Sequence, residues 1–378
     1  MKLLQLGMGW FPEQAGGLNR FYYDLTNQLH SDGVGIHGLV AGSDSVEKDS
    51  QGLVSAFSSS DASLIKRWRA VRKAATSILD ENRIDIAASH FALYTFPLLD
   101  KLNDTPLVIH FQGPWAEEGA VEGGGRYSTI LKTFVEKSVY RRAGRYIVLS
   151  TAFREILARR YGIDEGLIHV IPGGVNSARF AVDKSVSEVR EELGWSLDRP
   201  IVLVVRRLAR RMGLENLLDA VEKVRRDIPD ILVLIAGKGP LREELEAIIV
   251  ERNIGNNVRL LGFVPDEKLP LAYRAANLSI VPTVSLEGFG LITLESMASG
   301  TPVLVTPVGG LPETVSGLSE QLILPGYGSQ DLAWGIRSAL DGSLPLPSEK
   351  DCVKHVQDNF DWSLIGKRVL NVYNEALA

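Results

Sequence analysis

The sequence contains a single cysteine, Cys352, and no run of eighteen consecutive apolar residues. One thiol excludes a disulfide framework and a multi-cysteine metal site, and it is typical of proteins from a reducing compartment. Without a long apolar run there is no candidate transmembrane helix, and the apolar stretch at residues 1–11 is too short for a signal peptide. We therefore expect a cytoplasmic protein in which Cys352 is a packing residue.

Strong charge of either sign is also missing. The 41 Lys and Arg residues against 46 Asp and Glu residues leave a net charge of −5, which gives no global attraction to nucleic acid or anionic lipid. The sequence has no Asp-x-Asp pair, so a metal ion that clamps phosphate groups would lack obvious carboxylate ligands. We expect no metal, no other cofactor and no nucleic-acid partner.

Apolar strands alternate with amphipathic helices over 378 residues, which is too long for one ordinary α/β core. The first series of predicted strands is Lys2–Leu6, Gly35–Val40, Ile84–Ala88, Leu107–His110, Tyr146–Leu149 and Leu167–Ile171. After a charged stretch, Phe180–Arg199, the second series is Ile201–Val205, Ile231–Ala236, Val258–Leu261, Leu278–Val281, Pro302–Thr306 and Gln321–Leu324. This order predicts an α/β protein with two doubly wound, Rossmann-like parallel domains that face each other across a cleft.

The segment Val284–Glu313 carries the strongest functional signal. An acidic residue, Glu287, follows a buried strand, and small residues then allow the backbone to approach a ligand closely. A helix is predicted from Leu291 to Ser299-Gly300, and its free N–H groups and positive dipole end are suited to phosphate. The donor-binding backbone is predicted to belong to Gly288, Phe289, Gly290, Leu291 and Ile292.

Two carboxylates flank this predicted phosphate site. Glu295 lies about one turn into the helix, from which it can reach the hydroxyls of a ribose. Glu287 would lie on the other side of the phosphates, within reach of sugar hydroxyls. Together they favour a sugar-nucleotide site, although a solvated Glu295 and purely turn-forming glycines remain the alternative.

Further predicted donor contacts follow other strands. Arg207 and Arg211 come after the first strand of the second domain, where two guanidinium groups can bracket a pyrophosphate. Gly237 and Gly239 bend the backbone beside the base pocket, and main-chain atoms of Val264 can hold the base edge. In the first domain, the backbone N–H groups of Gly16 and Gly17 can meet the donor phosphate. Surface arginines and ordinary turn glycines are the alternative.

Seven motifs occur in the order found in one enzyme family. They are PEQAGG at Pro12–Gly17, IHFQGPW around His110, IPGGVN at Ile171–Asn176, VRRLARRMG at Val205–Gly213, AGKGPL at Ala236–Leu241, GFVP at Gly262–Pro265 and the Glu287–Glu295 segment. With them the chain resembles the GT-B fold glycosyltransferases, and more narrowly glycosyltransferase family 4 (group 1), over essentially its whole length.

The resemblance implies a retaining hexosyltransferase that uses a nucleotide-sugar donor. UDP-glucose is the expectation, with UDP-galactose, GDP-mannose and N-acetylated donors as the alternatives. It implies that the departing donor phosphate takes the acceptor proton, and that His110 contacts the donor sugar without acting as a general base. The sequence departs from the family at Met212, where a lysine usually stands, so we expect Arg211 to replace that lysine, with Arg210 as the alternative.

The resemblance also predicts the domain organisation. An acceptor-side domain would comprise residues 1–182 together with residues 361–378, whose helix would cross back to the first domain. The donor domain would comprise residues 183–360.

The acceptor side is less distinct. We expect Asn19, Gln112 and Trp115 to contact a glycan or lipid-linked glycan, with Trp115 stacked on a sugar. The loop Gln112–Tyr127, with the glycines Gly123-Gly124-Gly125 as a hinge, would be a mobile lid; a disordered surface loop is the alternative. The helix Leu64–Leu79 has an apolar side and basic flanks, which suits a peripheral contact with the cytoplasmic face of a membrane; an ordinary core-facing helix is the alternative.

The expected function is therefore sugar transfer in polysaccharide or glycolipid biosynthesis. A sugar-nucleotide epimerase or phosphorylase and a non-catalytic nucleotide-sugar sensor on the same fold are the alternatives.

Overall fold

The structure is a computed structural model that describes residues 1–11, 13–121, 123 and 125–378. The chain divides into two compact units, Met1–Gly174 with Trp362–Ala378, and Val175–Asp361. The predicted domain boundaries, after residues 182 and 360, lie eight residues later and one residue earlier than these divisions.

The first unit is built on seven strands with helices between them. In chain order its elements are β1 (Lys2–Gly9), α1 (Gly17–Ser31), β2 (Gly35–Ala41), α2 (Ser45–Asp49), β3 (Val54–Ser58), α3 (Leu64–Glu81), β4 (Ile86–Ser89), α4 (Ala92–Thr95), β5 (Leu107–Phe111), α5 (Trp115–Val121), α6 (Arg126–Tyr140), β6 (Arg145–Val148), α7 (Thr151–Tyr161) and β7 (Ile168–Val170). The strands pair in parallel in the order β3-β2-β1-β4-β5-β6-β7.

The second unit is built on five strands, and the last helix of the chain returns to the first unit. The elements are α8 (Ser177–Phe180), α9 (Val186–Leu193), β8 (Ile201–Val205), α10 (Leu214–Val224), β9 (Leu232–Ala236), α11 (Arg242–Glu251), β10 (Val258–Gly262), α12 (Leu269–Ala275), β11 (Leu278–Val281), α13 (Leu291–Ala298), β12 (Val303–Val305), α14 (Leu311–Val315), α15 (Ser329–Leu340), α16 (Glu349–Phe360) and, in the first unit, α17 (Trp362–Leu377). The parallel strand order is β10-β9-β8-β11-β12.

The apolar pattern of the sequence explains why these elements form. The strands of both sheets are nearly continuous apolar runs because helices cover both faces of a parallel sheet. In α1, the residues Phe21, Tyr22, Leu25 and Leu29 recur at helical spacing and are buried. The final helix packs on α1 and on β4, β5 and β6 through a buried side that includes Trp362, Ile365 and Tyr373.

The predicted fold class is confirmed, with two corrections to the strands. The strand β3 was missed, because four of its five side chains are only half-buried and give no continuous apolar run. The predicted strand Gln321–Leu324 is wrong. Residues Glu320–Leu322 form a 3₁₀ turn, and only an isolated bridge joins Ile323 to Val305.

No helix within the described residues combines the length and the apolar composition needed to cross a membrane.

Candidate active site

The strand order of the second unit brings two loops together. From β8 the strand order runs to β9 and β10 on one side, whereas β11 and β12 lie on the other side of β8. Because β8 and β11 are adjacent and parallel, the loops that follow them start at the same edge of the sheet. Such a switch point is where open α/β sheets bind ligands. We call residues 206–213 the arginine loop and residues 282–290 the acidic loop.

A buried ion pair joins the two loops. The guanidinium group of Arg206 donates hydrogen bonds to the Glu287 carboxylate and to the Thr283 hydroxyl. The side chains of Arg206 and Glu287 are only 9% and 12% exposed. Because removing either partner would leave a buried charge uncompensated, this pair fixes where the acidic loop lies.

The surroundings of Glu287 keep its carboxyl ionised. Burial by itself raises the pKa of Glu287, but the charge and hydrogen bond of Arg206, the charge of Arg211 and the N–H of Phe289 together hold that pKa below its ordinary value. An ionised carboxylate only accepts hydrogen bonds. Glu287 can therefore accept a bond from a ligand hydroxyl but cannot supply a proton.

Backbone contacts hold the acidic loop in place. Arg211 donates a side-chain hydrogen bond of 2.7 Å to the carbonyl oxygen of Leu286, which has a left-handed φ of 52°. A Cβ on Gly309 would lie 1.9 Å from the carbonyl oxygen of Glu287. Only glycine allows that approach, so this loop is rigidly seated between its neighbours.

The helix α13 begins at Leu291, as the sequence predicts, and Gly290 before it has a left-handed φ of 88°. Its first turn therefore starts directly after the acidic loop, with unsatisfied N–H groups at the carboxyl edge of the sheet. Phe289 is buried, with its ring 5.8 Å from that of Phe360, so it anchors the loop.

Glu295 is not the solvated residue of the alternative interpretation. It is 8% exposed, and one carboxylate oxygen accepts a 3.1 Å hydrogen bond from the Tyr273 hydroxyl. Its predicted contact with a ribose stays a prediction.

The neighbouring arginines have different surroundings. Arg211 contacts the acidic loop, whereas Arg210 is exposed and pairs with Glu215 and Glu244. That Arg211, and not Arg210, replaces the family lysine stays a prediction. Arg207 is exposed at the start of the arginine loop.

Close packing explains why glycine occupies the two positions that were predicted to lie beside the base pocket. A Cβ on Gly237 would lie 1.8 Å from the carbonyl oxygen of Arg206, and one on Gly239 would lie 2.2 Å from that of Leu208. The loop after β9 thus packs directly on the arginine loop. Val264 is half-buried in the loop after β10, whose Gly262 carbonyl oxygen accepts a 2.7 Å bond from Gly237.

In the first unit, His110 lies near the end of β5 and is only 2% exposed. Its ring stacks on His90 at 4.1 Å, and its Nε2 lies 2.7 Å from the Tyr373 hydroxyl. Burial lowers the pKa of His110 to about 3, so its imidazole is neutral. Its Nδ1 atom is buried without a partner among the described residues, and the predicted contact of His110 with a donor sugar stays a prediction.

The histidine pair belongs to a buried polar network. The Gln5 amide donates a 3.1 Å bond to Nε2 of His90, while Thr26 donates to the Gln5 side-chain oxygen. Burial and then the neighbouring His110 lower the pKa of His90. The network connects β1, the end of β4 and α1 at the switch point of the first sheet.

Three predicted contacts lie at the start of α1. Gly16 has a φ of 151°, and a Cβ on Gly16 or Gly17 would meet open space, so both backbones are accessible. Asn19 is buried; it donates a 3.0 Å bond to the Gln14 carbonyl oxygen, and its side-chain oxygen has no partner within the described part of the chain. Pro12 of the PEQAGG motif lies outside the described residues.

The predicted lid is wrong as a loop. Residues Trp115–Val121 and Arg126–Tyr140 are helices α5 and α6. Glu122 and Gly124, two residues of the predicted lid, lie outside the described residues. The ring of Trp115 contacts Phe91 at 5.3 Å and lies under the Lys132 ammonium at 4.8 Å. These contacts occupy the ring that was expected to stack on a sugar. Gln112 is half-buried just after β5.

The predicted membrane helix is core-facing. Its apolar side, Leu64, Trp68, Val71, Ala75 and Ile78, packs on the core of the first unit. Of its basic side chains, Arg67 donates to the Tyr94 hydroxyl. This apolar side therefore gives no support to a membrane contact.

Sequence reasoning missed Arg206, His90 and Tyr373. Arg206 directly precedes the predicted Arg207, but its partner Glu287 is 81 residues away. The adjacent arginines at the end of β8 were the available signal. For His90, the signal was its position directly after β4.

Each unit is built on one parallel sheet, and solved structures with this architecture that the chain resembles are GT-B glycosyltransferases. Residues 15–179 match the family described as Glycosyltransferase Family 4, and residues 185–358 match Glycosyl transferases group 1. The structure is similar to that of Anabaena Alr3699/HepE in complex with UDP-glucose, with a TM-score of 0.80, 18% identity and coverage of 99% of this chain and 100% of that one. The chain belongs to the group 1 family of glycosyltransferases.

The chain is also similar in sequence to two proteins that are named as glycosyltransferases. The chain is 30% identical over 67% of its length to "Uncharacterized glycosyltransferase MJ1607" of Methanocaldococcus jannaschii, and the match covers 66% of that protein. It is 28% identical over 69% of its length to the D-inositol 3-phosphate glycosyltransferase of Corynebacterium kroppenstedtii, and the match covers 60% of that protein. The chain thus spans somewhat less than two thirds of the length of these relatives.

Proposed function

We propose that the protein is a retaining glycosyltransferase that moves a sugar from a nucleotide diphosphate to a glycan or lipid-linked glycan, in polysaccharide or glycolipid biosynthesis. The observation that carries the proposal is the buried Arg206–Glu287 pair, which holds an ionised carboxylate beside the start of α13. Membership of the group 1 family supports the same reaction.

In the proposed reaction, the bond between C1 of the donor sugar and the diphosphate oxygen breaks. The acceptor oxygen bonds to C1 on the same face, and its proton passes to the departing phosphate. Negative charge then grows on the diphosphate, where the N–H groups of Leu291 and Ile292 and the guanidinium groups of Arg207 and Arg211 would bind it. Each preorganised donor of this kind lowers a barrier by about 3–4 kcal/mol.

Glu287 and His110 would bind the donor sugar in this scheme. Glu287 accepts hydrogen bonds from sugar hydroxyls, and Arg206 keeps its carboxylate ionised and oriented. His110, neutral because it is buried, contributes its Nδ1 atom as a hydrogen-bonding group. The diphosphate is then the proton acceptor, and a protein base is not required.

The proposed donor is UDP-glucose, supported by the similarity to HepE, whose structure was solved in complex with UDP-glucose. A thermal-shift series with UDP, GDP, ADP and their glucose or mannose derivatives tests it, because a ligand at one hundred times its dissociation constant stabilises the native state by about 2.7 kcal/mol. UDP and UDP-glucose are expected to give the largest shifts. If GDP-mannose alone stabilised the protein, GDP-mannose would replace UDP-glucose as the proposed donor. If no nucleotide stabilised it, the result would contradict a sugar-nucleotide site.

Metal independence is part of the proposal. The described residues contain no group of three or more His, Cys, Asp or Glu side chains arranged to hold a metal. Transfer activity should survive EDTA treatment, and its loss, with recovery on adding a divalent cation, would contradict this part. Release of UDP separates the transferase from the epimerase and sensor alternatives, since an epimerase converts its donor without net release of UDP and a sensor leaves it unchanged.

A further inference from the structure

The outward side of α6 carries a continuous apolar stripe. Tyr127, Ile130, Leu131 and Phe134 are 90%, 59%, 54% and 59% exposed. Their spacing of three, four and seven residues places them on one side of the helix. Large apolar side chains exposed elsewhere among the described residues, such as Val250 and Trp334, lie singly on other helices or in loops. A grouped stripe of this kind marks a contact surface.

The opposite side of α6 is firmly anchored. Val135 and Val139 lie in the core of the first unit, and the Glu136 carboxylate accepts a 3.0 Å hydrogen bond from Tyr161. The helix therefore cannot turn its stripe inward without giving up this packing. The exposed residues need an external partner if they are to be buried.

The charges around the stripe are basic. Lys137 and Arg141 follow Phe134 by three and seven residues and extend the same side of the helix, and Arg126 directly precedes Tyr127. The only acidic residue of α6 is Glu136, which is buried. Within the described residues, no carboxylate forms an ion pair with Arg126, Lys137 or Arg141.

The basic surface continues toward α3. The ring of Phe134 contacts that of Phe96 at 5.9 Å, and Phe96 contacts Trp68 of α3 at 5.4 Å. Lys66, Arg69 and Lys73 of α3 are exposed. The chain as a whole has a net charge of −5, so this positive surface is local.

We propose that the stripe of α6 is a membrane-docking surface that inserts shallowly into a bilayer containing anionic lipid. An apolar helix side bordered by Lys and Arg is the pattern that binds such an interface, with the aromatic and aliphatic side chains among the acyl chains and the cations at the headgroups. A second copy of the chain is a poorer occupant, because it would bring the same basic residues face to face.

Flotation of the full chain with lipid vesicles tests the proposal without any activity measurement, so its outcome is independent of the proposed function. Vesicles of phosphatidylcholine mixed with phosphatidylglycerol should carry the protein, and vesicles of phosphatidylcholine alone should carry far less. Raising the salt concentration should release the protein, since headgroup attraction is screened.

Variants locate the contact. The double variant Ile130→Ser/Phe134→Ser should lower the bound fraction more than about tenfold, and Lys137→Gln and Arg141→Gln should each lower it about fivefold. Val250→Ser is the control, because it removes an even more exposed apolar side chain from the second unit and should leave binding unchanged. Melting temperatures close to that of the wild type would show that each variant is folded, and we expect this because none of the substituted side chains is fully buried.

Three results would overturn the proposal: absence of flotation, equal flotation with neutral vesicles, or flotation that the Ile130/Phe134 variant retains. Light scattering supplies a fourth. A dimer that dissociates in the Ile130/Phe134 variant would assign the stripe to a second copy instead.

Discussion

The hydroxyl of Tyr373 lies 2.7 Å from Nε2 of His110, although 263 residues separate them in the sequence. The contact joins the last helix, α17, to the end of β5. Both side chains are buried, so neither has water as an alternative partner. The final helix thereby fixes the orientation of the histidine that is predicted to meet the donor sugar.

Replacing Tyr373 by Phe should therefore affect both stability and the reaction. The variant leaves Nε2 of His110 buried without a partner, which costs about 1–3 kcal/mol of unfolding free energy. Because the imidazole loses its orientation, kcat/KM for donor hydrolysis should fall about tenfold. Val372→Ala, a buried neighbour on the same helix, is the control that lowers stability only. If kcat/KM were unchanged in Tyr373→Phe, Tyr373 would not position His110 for the reaction.

The Arg206–Glu287 pair is expected to behave as a coupled unit. Arg206→Met or Glu287→Gln alone should destabilise the protein by about 3–5 kcal/mol, because each leaves its partner buried and uncompensated. The double variant should lose less than the sum of the two, with a coupling of more than about 1 kcal/mol. Urea unfolding of the four proteins measures this. Additive losses would mean that the two charges do not stabilise each other.

Arg211 and Arg210 offer a comparison between adjacent residues. Arg211→Ala removes the bond to the acidic loop and a predicted contact with the diphosphate, and the affinity for UDP should fall about tenfold or more. Arg210→Ala removes only exposed ion pairs, which solvent screens, and should leave UDP affinity unchanged. Titration calorimetry distinguishes them. The reverse ranking would make Arg210 the residue that replaces the family lysine.

Glu136 predicts a pH dependence of stability. Burial raises its pKa from 4.5 to about 7, partly offset by the hydrogen bond from Tyr161. The unfolded state loses this proton near pH 4.5 and the folded state only near pH 7, so stability falls as the pH rises through that window. The shift corresponds to about 3 kcal/mol.

Melting temperatures of wild type and Glu136→Gln across pH 4–9 test this expectation. The neutral amide removes the titration, so the variant should gain on the wild type as the pH increases from about 4.5 to 7. Parallel curves would show that Glu136 is ionised in the folded protein throughout this range.

Where apolar runs are continuous, the sequence predicted the fold closely. The strands Ile201–Val205 and Leu278–Val281 and the start of α13 at Leu291 agree with the structure, because burial on both faces of a parallel sheet leaves an unbroken apolar signal. The half-exposed strand β3 has no such signal. The glycines between α5 and α6 suggested a loop in a region where helices form on either side.

The site was predictable only in its local parts. The acidic loop and the helix after it are contiguous in the sequence, so their order could be inferred from one segment. Arg206, Tyr373 and His90 act through partners 81, 263 and 85 residues away, and periodicity carries no information about such pairings. Likewise, Gly237 and Gly239 were predicted to lie beside the base pocket. Their close approach to the arginine loop depends on the folded chain and could not be inferred from the sequence.

The central claim is that the ionised carboxylate of Glu287, held by Arg206 beside the start of α13, binds the sugar of a nucleotide donor during transfer. Donor hydrolysis in the absence of acceptor, followed as UDP release from UDP-glucose, tests it most directly. We predict slow release by the wild type and release at least about a hundredfold slower in Glu287→Ala, with UDP still bound by the variant. Release from Glu287→Ala at the wild-type rate would contradict the account.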